Sequence, residues 1–195
     1  MLLLLLGLAT AAPPAAPALQ PGDLVFHRST SRQSEAIARA THSPLTHVGV
    51  VLEHEGTLQV FEAVQPVGWA PVDVWIARGA PDTLQVKRLR DADAVLVPAT
   101  LARMAALAAT WEGRSYDAAF AWSDEQLYCS ELVHKLYARA ASVELGALQR
   151  LVDFDLADPV VATALRGRYG DRPPLQEVVL SPAALAADPR LVEVR

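Results

Sequence analysis

The sequence of 195 residues contains a single cysteine, Cys129. One cysteine cannot form an intramolecular disulfide, and it cannot supply the paired cysteines of a structural zinc site. The five histidines also lack the HExxH-type spacing of metal-ligating pairs. We therefore expect a protein that uses no metal and no other cofactor.

The chain also lacks a cluster of basic residues. Its 17 Lys and Arg against 22 Asp and Glu give a formal net charge of −5, which argues against nucleic acid as the main partner. Hydrophobic residues make up 52% of the sequence, enough to build a core and to exclude a disordered protein. The length fits one domain over residues 19–195, and no feature of the sequence predicts an oligomeric state.

The first residues, "MLLLLLGLAT", form an apolar run that is too short to span a bilayer. Ala16-Pro17-Ala18 then has the small-x-small pattern of a cleavage site, so residues 1–18 are predicted to be a secretory signal peptide. The usual basic residues after Met1 are missing, and an apolar tail without a targeting role is the alternative. We expect a periplasmic or secreted protein of the bacterial envelope, with peripheral association with the envelope as an option.

Short strands clustered between helices predict an α+β fold with a mostly antiparallel sheet. The apolar alternation is clearest in a hairpin over 46–64, "THVGVVLEHEGTLQVFEAV". The stretch 66–79 is predicted as a loop that leads to a short amphipathic segment. The remaining predicted elements are strands at 24–26 and 83–90, helices at 31–41 and 99–111, and a helix that follows Cys129.

Cys129 lies in "LYCSEL", directly before the predicted helix. The positive end of a helix dipole and the unpaired N–H groups of its first turn stabilise a thiolate and a developing oxyanion. This is the placement that a nucleophilic cysteine needs. The alternative is a buried, unreactive side chain, as most free cysteines are.

A nucleophilic thiol needs a base within hydrogen-bonding reach, and the hairpin favours His47. A two-residue turn at 54–55 sets His47 opposite Glu62, whereas a turn at 55–56 sets Gly49 opposite Glu62. Both registers place His47 and Glu62 on one face, about 4.5–8 Å apart at the backbone. A carboxylate that orients the imidazole would complete a triad. The alternative is an edge histidine and a surface glutamate with no shared role.

The other histidines are weaker candidates for the base. His134 lies about 500° around the helix from Cys129, so its side chain points away from the helix start. His54 is expected at the hairpin tip in solvent. His27 and His42 fall at a strand end or in a loop without further support.

Five motifs occur in the order "PGDLVF", "THVGVV", "VFEAV", "GRSYD" and "WSDEQLYCSELVHKLY", followed by "DFDL" and "RYG" near 153–170. In this order they resemble the permuted papain-like cysteine hydrolases, specifically the YiiX/YebB-like branch related to NlpC-type peptidases. In that branch the histidine strand precedes the cysteine helix, as His47 precedes Cys129 here. The resemblance implies a permuted papain-like fold, a sheet or half-barrel packed against helices, over nearly the whole mature chain.

The resemblance also implies roles for individual residues. Cys129 corresponds to the nucleophile, His47 to the base and later acid, and Glu62 to the orienting residue. Candidate contacts to the substrate or the oxyanion are Tyr128, Ser130 and Tyr116. Of these, Tyr128 matches the position before the nucleophile, and a structural role for Tyr116 is an equal alternative.

The resulting hypothesis is an exported thiol hydrolase that cleaves an amide or ester-type bond through a Cys129 acyl-enzyme. The resemblance implies small-molecule, cell-wall peptide or lipid-like acyl substrates. Two alternatives stay open. One is an acyltransferase of the lecithin:retinol acyltransferase-like type, and the other is a non-catalytic module that binds the envelope.

Overall fold

The computed structural model describes residues 18–194. Its strands are β1 (Leu24–His27), β2 (His47–His54), β3 (Thr57–Glu62), β4 (Gly68–Pro71), β5 (Gln85–Leu89), β6 (Gln149–Arg150), β7 (Val178–Val179) and β8 (Leu191–Glu193). Six of them form one sheet in the order β4-β3-β2-β1-β5-β8, in which every pairing is antiparallel. Strands β6 and β7 pair separately. The predicted signal peptide lies outside the described residues, apart from Ala18, and stays a prediction.

Seven α-helices and one short 3₁₀ helix, Leu151–Asp153, accompany these strands in the described part of the chain; the α-helices follow in chain order. They are α1 (Ser34–Thr41), α2 (Val72–Ala77), α3 (Ala92–Val95), α4 (Pro98–Trp111), α5 (Cys129–Ala141), α6 (Pro159–Tyr169) and α7 (Pro182–Ala186). Between residues 18 and 194 no helix is both long and apolar enough to cross a membrane. The predicted α+β class, with a mostly antiparallel sheet packed against helices, is confirmed.

Two predicted segments differ from the structure by more than two residues. Helix α1 begins at Ser34 rather than at residue 31, because residues 31–33 form a turn in which the Ser34 N–H donates to the carbonyl of Ser31. The stretch 66–79, predicted as a loop that leads to a short amphipathic segment, contains strand β4 where the loop was expected, and its amphipathic part is helix α2. Its prolines and glycine suggest a loop, yet an edge strand tolerates both residue types.

The sheet is buried on both faces, and the alternation of its strands divides the core in two. Val48 and Val50 point toward α4 and α5, where they join a cluster that includes Leu132 and Leu136. Val51, the residue after Val50, points to the opposite face, into the cluster built around Trp75 of α2. Each fully buried side chain of this size contributes about 1.5–3 kcal/mol of hydrophobic stabilisation. The strands β1 to β3 are therefore held between α5 on one side and α2 on the other.

The hairpin of β2 and β3 closes through a two-residue turn at Glu55 and Gly56, both of which have positive φ angles, 49° and 74°. This is the turn chemistry that matches the twist of the flanking strands. His54 therefore pairs with Thr57, and Val50 pairs with Phe61. Continued by one residue, this register sets Glu62 opposite Gly49, which is the second of the two predicted registers.

Gly49 is required where the two strands approach closely. A Cβ atom at Gly49 would lie 2.3 Å from Cγ1 of Val60 and 3.2 Å from the carbonyl oxygen of Phe61. We expect Gly49→Ala to lower the free energy of unfolding by about 1–3 kcal/mol through overpacking. Chemical denaturation monitored by circular dichroism measures this loss.

Gly68→Ala is the matched control, because no described atom outside its two chain neighbours lies within 4 Å of a Cβ built at Gly68. This variant should unfold at the wild-type denaturant concentration or slightly above it. Equal destabilisation of both variants would show that the close approach at Gly49 is not the cause.

Candidate active site

Cys129 is the first residue of α5, and its side chain is largely buried, with 4% of the residue exposed. The helix begins here because Tyr128 is extended, with φ −102° and ψ 167°. The Glu131 carboxylate, three residues on, accepts a hydrogen bond from the Tyr128 N–H at 3.2 Å. First-turn N–H groups of a helix have no intrahelical acceptor, so donors surround the sulfur. The predicted position of Cys129 at a helix N-terminus is observed.

Glu131 is itself fully buried, and an ion pair holds it in place. Its Oε1 lies 2.7 Å from Nζ of Lys135, one turn further along α5. Burial raises the pKa of Glu131, and the ion pair with Lys135 opposes that rise. Lys135 also contacts Asp124 of the preceding loop at 2.8 Å. This ion-pair chain fixes the start of α5 and therefore the position of Cys129.

His47 and Glu62 are in direct contact, as the same-face prediction required. Nε2 of His47 lies 2.6 Å from Oε2 of Glu62. Glu62 is 1% exposed. Two further groups donate to its carboxylate: the indole Nε1 of Trp75, at 2.9 Å from Oε2, and the guanidinium of Arg78 on Oε1. A buried carboxylate with three donors is held in one orientation.

The contact sets the protonation of His47. Burial by itself would lower the pKa of the imidazole, but hydrogen bonds and charge interactions with Cys129 and Glu62 raise it to about 9. Burial would likewise raise the pKa of Glu62, yet the hydrogen bonds and positive charges of His47 and Arg78 hold it below its usual value. With Nε2 engaged by Glu62, Nδ1 is the ring nitrogen left to face Cys129. The raised pKa therefore keeps the His47 imidazole protonated at neutral pH.

Cys129 and His47 reach this position from opposite faces of the sheet. Cys129 belongs to the core cluster on the α5 side. The parity of β2 places His47 on the same face as Val51, which is the α2 side, where its ring stacks 5.9 Å from that of Trp75. His47 is the first residue of β2, so the two side chains meet at the end of the strand.

His27, Trp75 and Arg78 were not predicted as part of the site. His27 lies directly opposite His47 in the β1–β2 register and stacks on Trp75 at 4.0 Å. Burial, followed by the positive charge of His47, lowers the pKa of His27 to about 4, so this ring is neutral. Trp75 and Arg78 belong to the short amphipathic segment predicted after the loop, to which no part in the site was assigned. An aromatic residue on a short amphipathic segment is the one sequence signal that indicated burial there.

The three predicted substrate or oxyanion contacts all line one cavity with Cys129. The hydroxyl of Tyr128 accepts a hydrogen bond from the Leu180 N–H at 2.9 Å, and that of Ser130 donates to the Leu180 carbonyl at 2.6 Å. These two hydroxyls thus hold the chain at residue 180 against α5. The hydroxyl of Tyr116 accepts from Nε2 of Gln33 at 2.9 Å. Burial raises the pKa of Tyr116 and of Tyr128, so both phenols keep their protons.

The cavity lies between α1 and α6 and has a volume of about 700 Å³ with its open mouth. Its walls are largely aliphatic and aromatic. Helix α1 contributes Ala36 and Ile37, helix α6 contributes Val161 and Leu165, and Leu151 and Val179 form the floor. Among the described residues that line it, Arg168 is the one that carries a charge.

The remaining histidines lie elsewhere. His134 is buried and bonds through Nδ1 to the Leu145 carbonyl at 2.7 Å, away from Cys129. His54 is half-buried because its ring stacks on Trp69 at 4.1 Å, which corrects the expectation of a solvated side chain at the hairpin tip. His42 is exposed and lies 3.5 Å from Asp155.

A cysteine at the start of a helix that packs on an antiparallel sheet, with a histidine and a carboxylate on adjacent strands, defines a papain-like site. Here the histidine strand precedes the cysteine helix, which is the permuted order. A family model described as permuted papain-like amidase enzyme, YaeF/YiiX, C92 family, matches residues 18–195. The chain belongs to this family.

Two relatives from Escherichia coli support the assignment. The "Uncharacterized protein YiiX" of strain K12 is 40% identical over 192 residues, which is 98% of this chain and 94% of the relative. A crystal structure of YiiX from O157:H7 matches with a TM-score of 0.84 and 40% identity, over 90% of this chain and 96% of that one. That structure is described as one of a metalloprotein. Within residues 18–194 of the present chain, no three His, Cys, Asp or Glu side chains gather in a way that could hold a metal ion.

The raised pKa of His47 depends in part on the charge of Glu62. We expect Glu62→Gln to move the pKa of His47 from about 9 toward its ordinary value of 6.5, because the negative partner is lost while the burial remains. Titration of the His47 ring protons by NMR measures the change.

Glu53→Gln removes the same charge from the exposed end of β2 and serves as the control. Its His47 should titrate as in the wild type. A His47 pKa that stays the same in Glu62→Gln would contradict the proposed coupling.

Proposed function

We propose that the protein is a thiol-dependent hydrolase of amide or ester-type bonds, with Cys129 as nucleophile, His47 as base and acid, and Glu62 as the residue that orients His47. The observation that carries this proposal is the 2.6 Å contact between His47 and Glu62 beside a cysteine at a helix N-terminus. Membership of a family of papain-like amidases supports it.

The reaction would proceed in two halves. The Cys129 sulfur forms a bond to the substrate carbonyl carbon, and the first-turn N–H groups of α5 at Cys129 and Ser130 stabilise the oxyanion. As the carbon–nitrogen or carbon–oxygen bond breaks, His47 gives its proton to the leaving group. A water molecule, deprotonated by His47, then attacks the thioester and releases the acid and the free thiol.

The lining of the cavity favours a lipid-like acyl group over a cell-wall peptide. This acyl group is the part of the substrate that would become bonded to the Cys129 sulfur. The cavity walls provide aliphatic and aromatic contacts, which predominate in the pockets that bind small apolar molecules. A polar peptide would leave many of its hydrogen-bonding groups without partners against such walls. We further propose that the enzyme acts in the bacterial envelope, on the basis of the signal-peptide pattern in residues 1–18.

A dodecanoyl anilide with a chromogenic amine tests the proposal directly. We expect the wild type to release the amine and to show an acyl adduct on Cys129 by intact mass spectrometry. Cys129→Ala and His47→Ala should each lower kcat by about 10³-fold or more, because each removes a member of the reacting unit.

His42→Ala is the matched histidine control, since His42 is exposed, lies beside Asp155 and is not among the described residues that line the cavity with Cys129. Release of the amine by Cys129→Ala at the wild-type rate would rule out the thiol mechanism. Transfer of the acyl group to an added amine in preference to water would identify the acyltransferase alternative.

The pH dependence of amide cleavage follows from the raised pKa of His47. Because this pKa is about 9, the imidazolium that protonates the leaving amine persists through neutral pH and is lost as the pH rises through about 9. We expect kcat/KM for the anilide to fall on the alkaline side with an apparent pKa near 9. In Glu62→Gln the fall should begin at lower pH.

A p-nitrophenyl ester with the same acyl chain serves as the control substrate, because its leaving group needs no proton. Its kcat/KM should show no such alkaline fall. If amide and ester have the same profile, His47 is not the acid that the mechanism requires.

A further inference from the structure

Arg168 is unusual for its place in the fold. It is half-buried on α6 and lines the otherwise apolar cavity that contains Cys129. Its guanidinium lies 4.3 Å over the ring of Phe120, and Nη2 donates to Oε1 of Gln33 at 3.3 Å. Within residues 18–194, no carboxylate lies within ion-pair distance of Arg168, whereas Arg39 has two such partners and Arg78 has one. A cation thus faces the cavity without a counter-charge from the described part of the chain.

Gln33 connects this cation to the reacting end of the cavity. While its Oε1 accepts from Arg168, its Nε2 donates to the hydroxyl of Tyr116 at 2.9 Å. Tyr116 lines the same cavity as Cys129. Burial, followed by the charge of Cys129, raises the pKa of Tyr116, so its O–H remains a donor beside the thiol. Arg168, Gln33 and Tyr116 therefore form one polar row, which ends next to the nucleophile.

We propose that this polar row binds an anionic group, a carboxylate or a phosphate, on the leaving portion of the substrate. The inference rests on the proposed function, since it assumes that the acyl portion occupies the apolar walls. The row ends at Tyr116 beside Cys129, so the anion lies close to the bond that breaks. The fork of a guanidinium suits the oxygens of both groups, and the apolar surroundings strengthen the interaction. Arg168 and Gln33 would then determine specificity without taking part in the chemistry.

Three dodecanoyl amides that differ in the amine portion test this proposal: those of glycine, phosphoethanolamine and ethanolamine. Binding is measured by calorimetry with Cys129→Ala protein, which cannot consume them, and turnover with protein that has the thiol. At least one of the two anionic amides should bind about 10- to 100-fold more tightly than the neutral one, and the tighter of the two identifies the anion. Arg168→Gln, introduced into either protein, should remove this preference by raising the Kd and the KM of the anionic amide. The kcat, and the binding of the neutral amide, should change little.

Arg166→Gln makes the same change of charge on the exposed side of α6 and should leave the preference intact. Arg168→Lys should restore part of it, because it keeps the charge without the fork. Equal binding of all three amides, or an equal effect of Arg168→Gln on all three, would overturn this inference. If the anionic amide binds selectively but no amide is cleaved, the proposed hydrolase function fails and the anion site stands.

Discussion

The buried carboxylate of Glu62 is the constraint on which the rest of the site depends. A carboxylate removed from water is strongly destabilising unless donors and positive charge surround it. Here the three donors come from two elements: His47 lies at the start of β2, whereas Trp75 lies in α2 and Arg78 directly follows it. The hairpin register, the docking of α2 and the orientation of the imidazole are therefore not independent of one another. All three features must form together, because otherwise the buried Glu62 carboxylate would lack donors.

The second constraint is the start of α5, which approaches from the other face of the sheet. The helix packs on the sheet through Leu132 and Leu136, and its first turn is held by the buried pair of Glu131 and Lys135. The backbone N–H groups near Cys129 are thereby fixed in position, as the proposed oxyanion stabilisation requires. The candidate site thus lies where two parts of the fold meet, one organised by a buried anion and the other by a helix terminus.

The local parts of this arrangement could be predicted from the sequence. The even-length turn placed His47 and Glu62 on one face in either register, and the residues after Cys129 indicated a helix start. Both depend on residues that are close in the chain. Trp75 and Arg78 could not be assigned to Glu62, because their contact depends on how β4 and α2 fold back over β3. The same holds for the cavity, whose walls come from α1 and from the segment 151–182, more than 100 residues further along.

Leu180 shows how the two constraints are linked to the cavity. Tyr128 and Ser130 were expected to contact the substrate, but their hydroxyls bond to the N–H and carbonyl of this one residue. The segment around Leu180 is thereby attached to the residues on either side of Cys129 and becomes a wall of the cavity. A displacement of the helix start would move the wall and Cys129 together. The position of this cavity wall is therefore tied to the position of the thiol by the hydrogen bonds that flank Cys129.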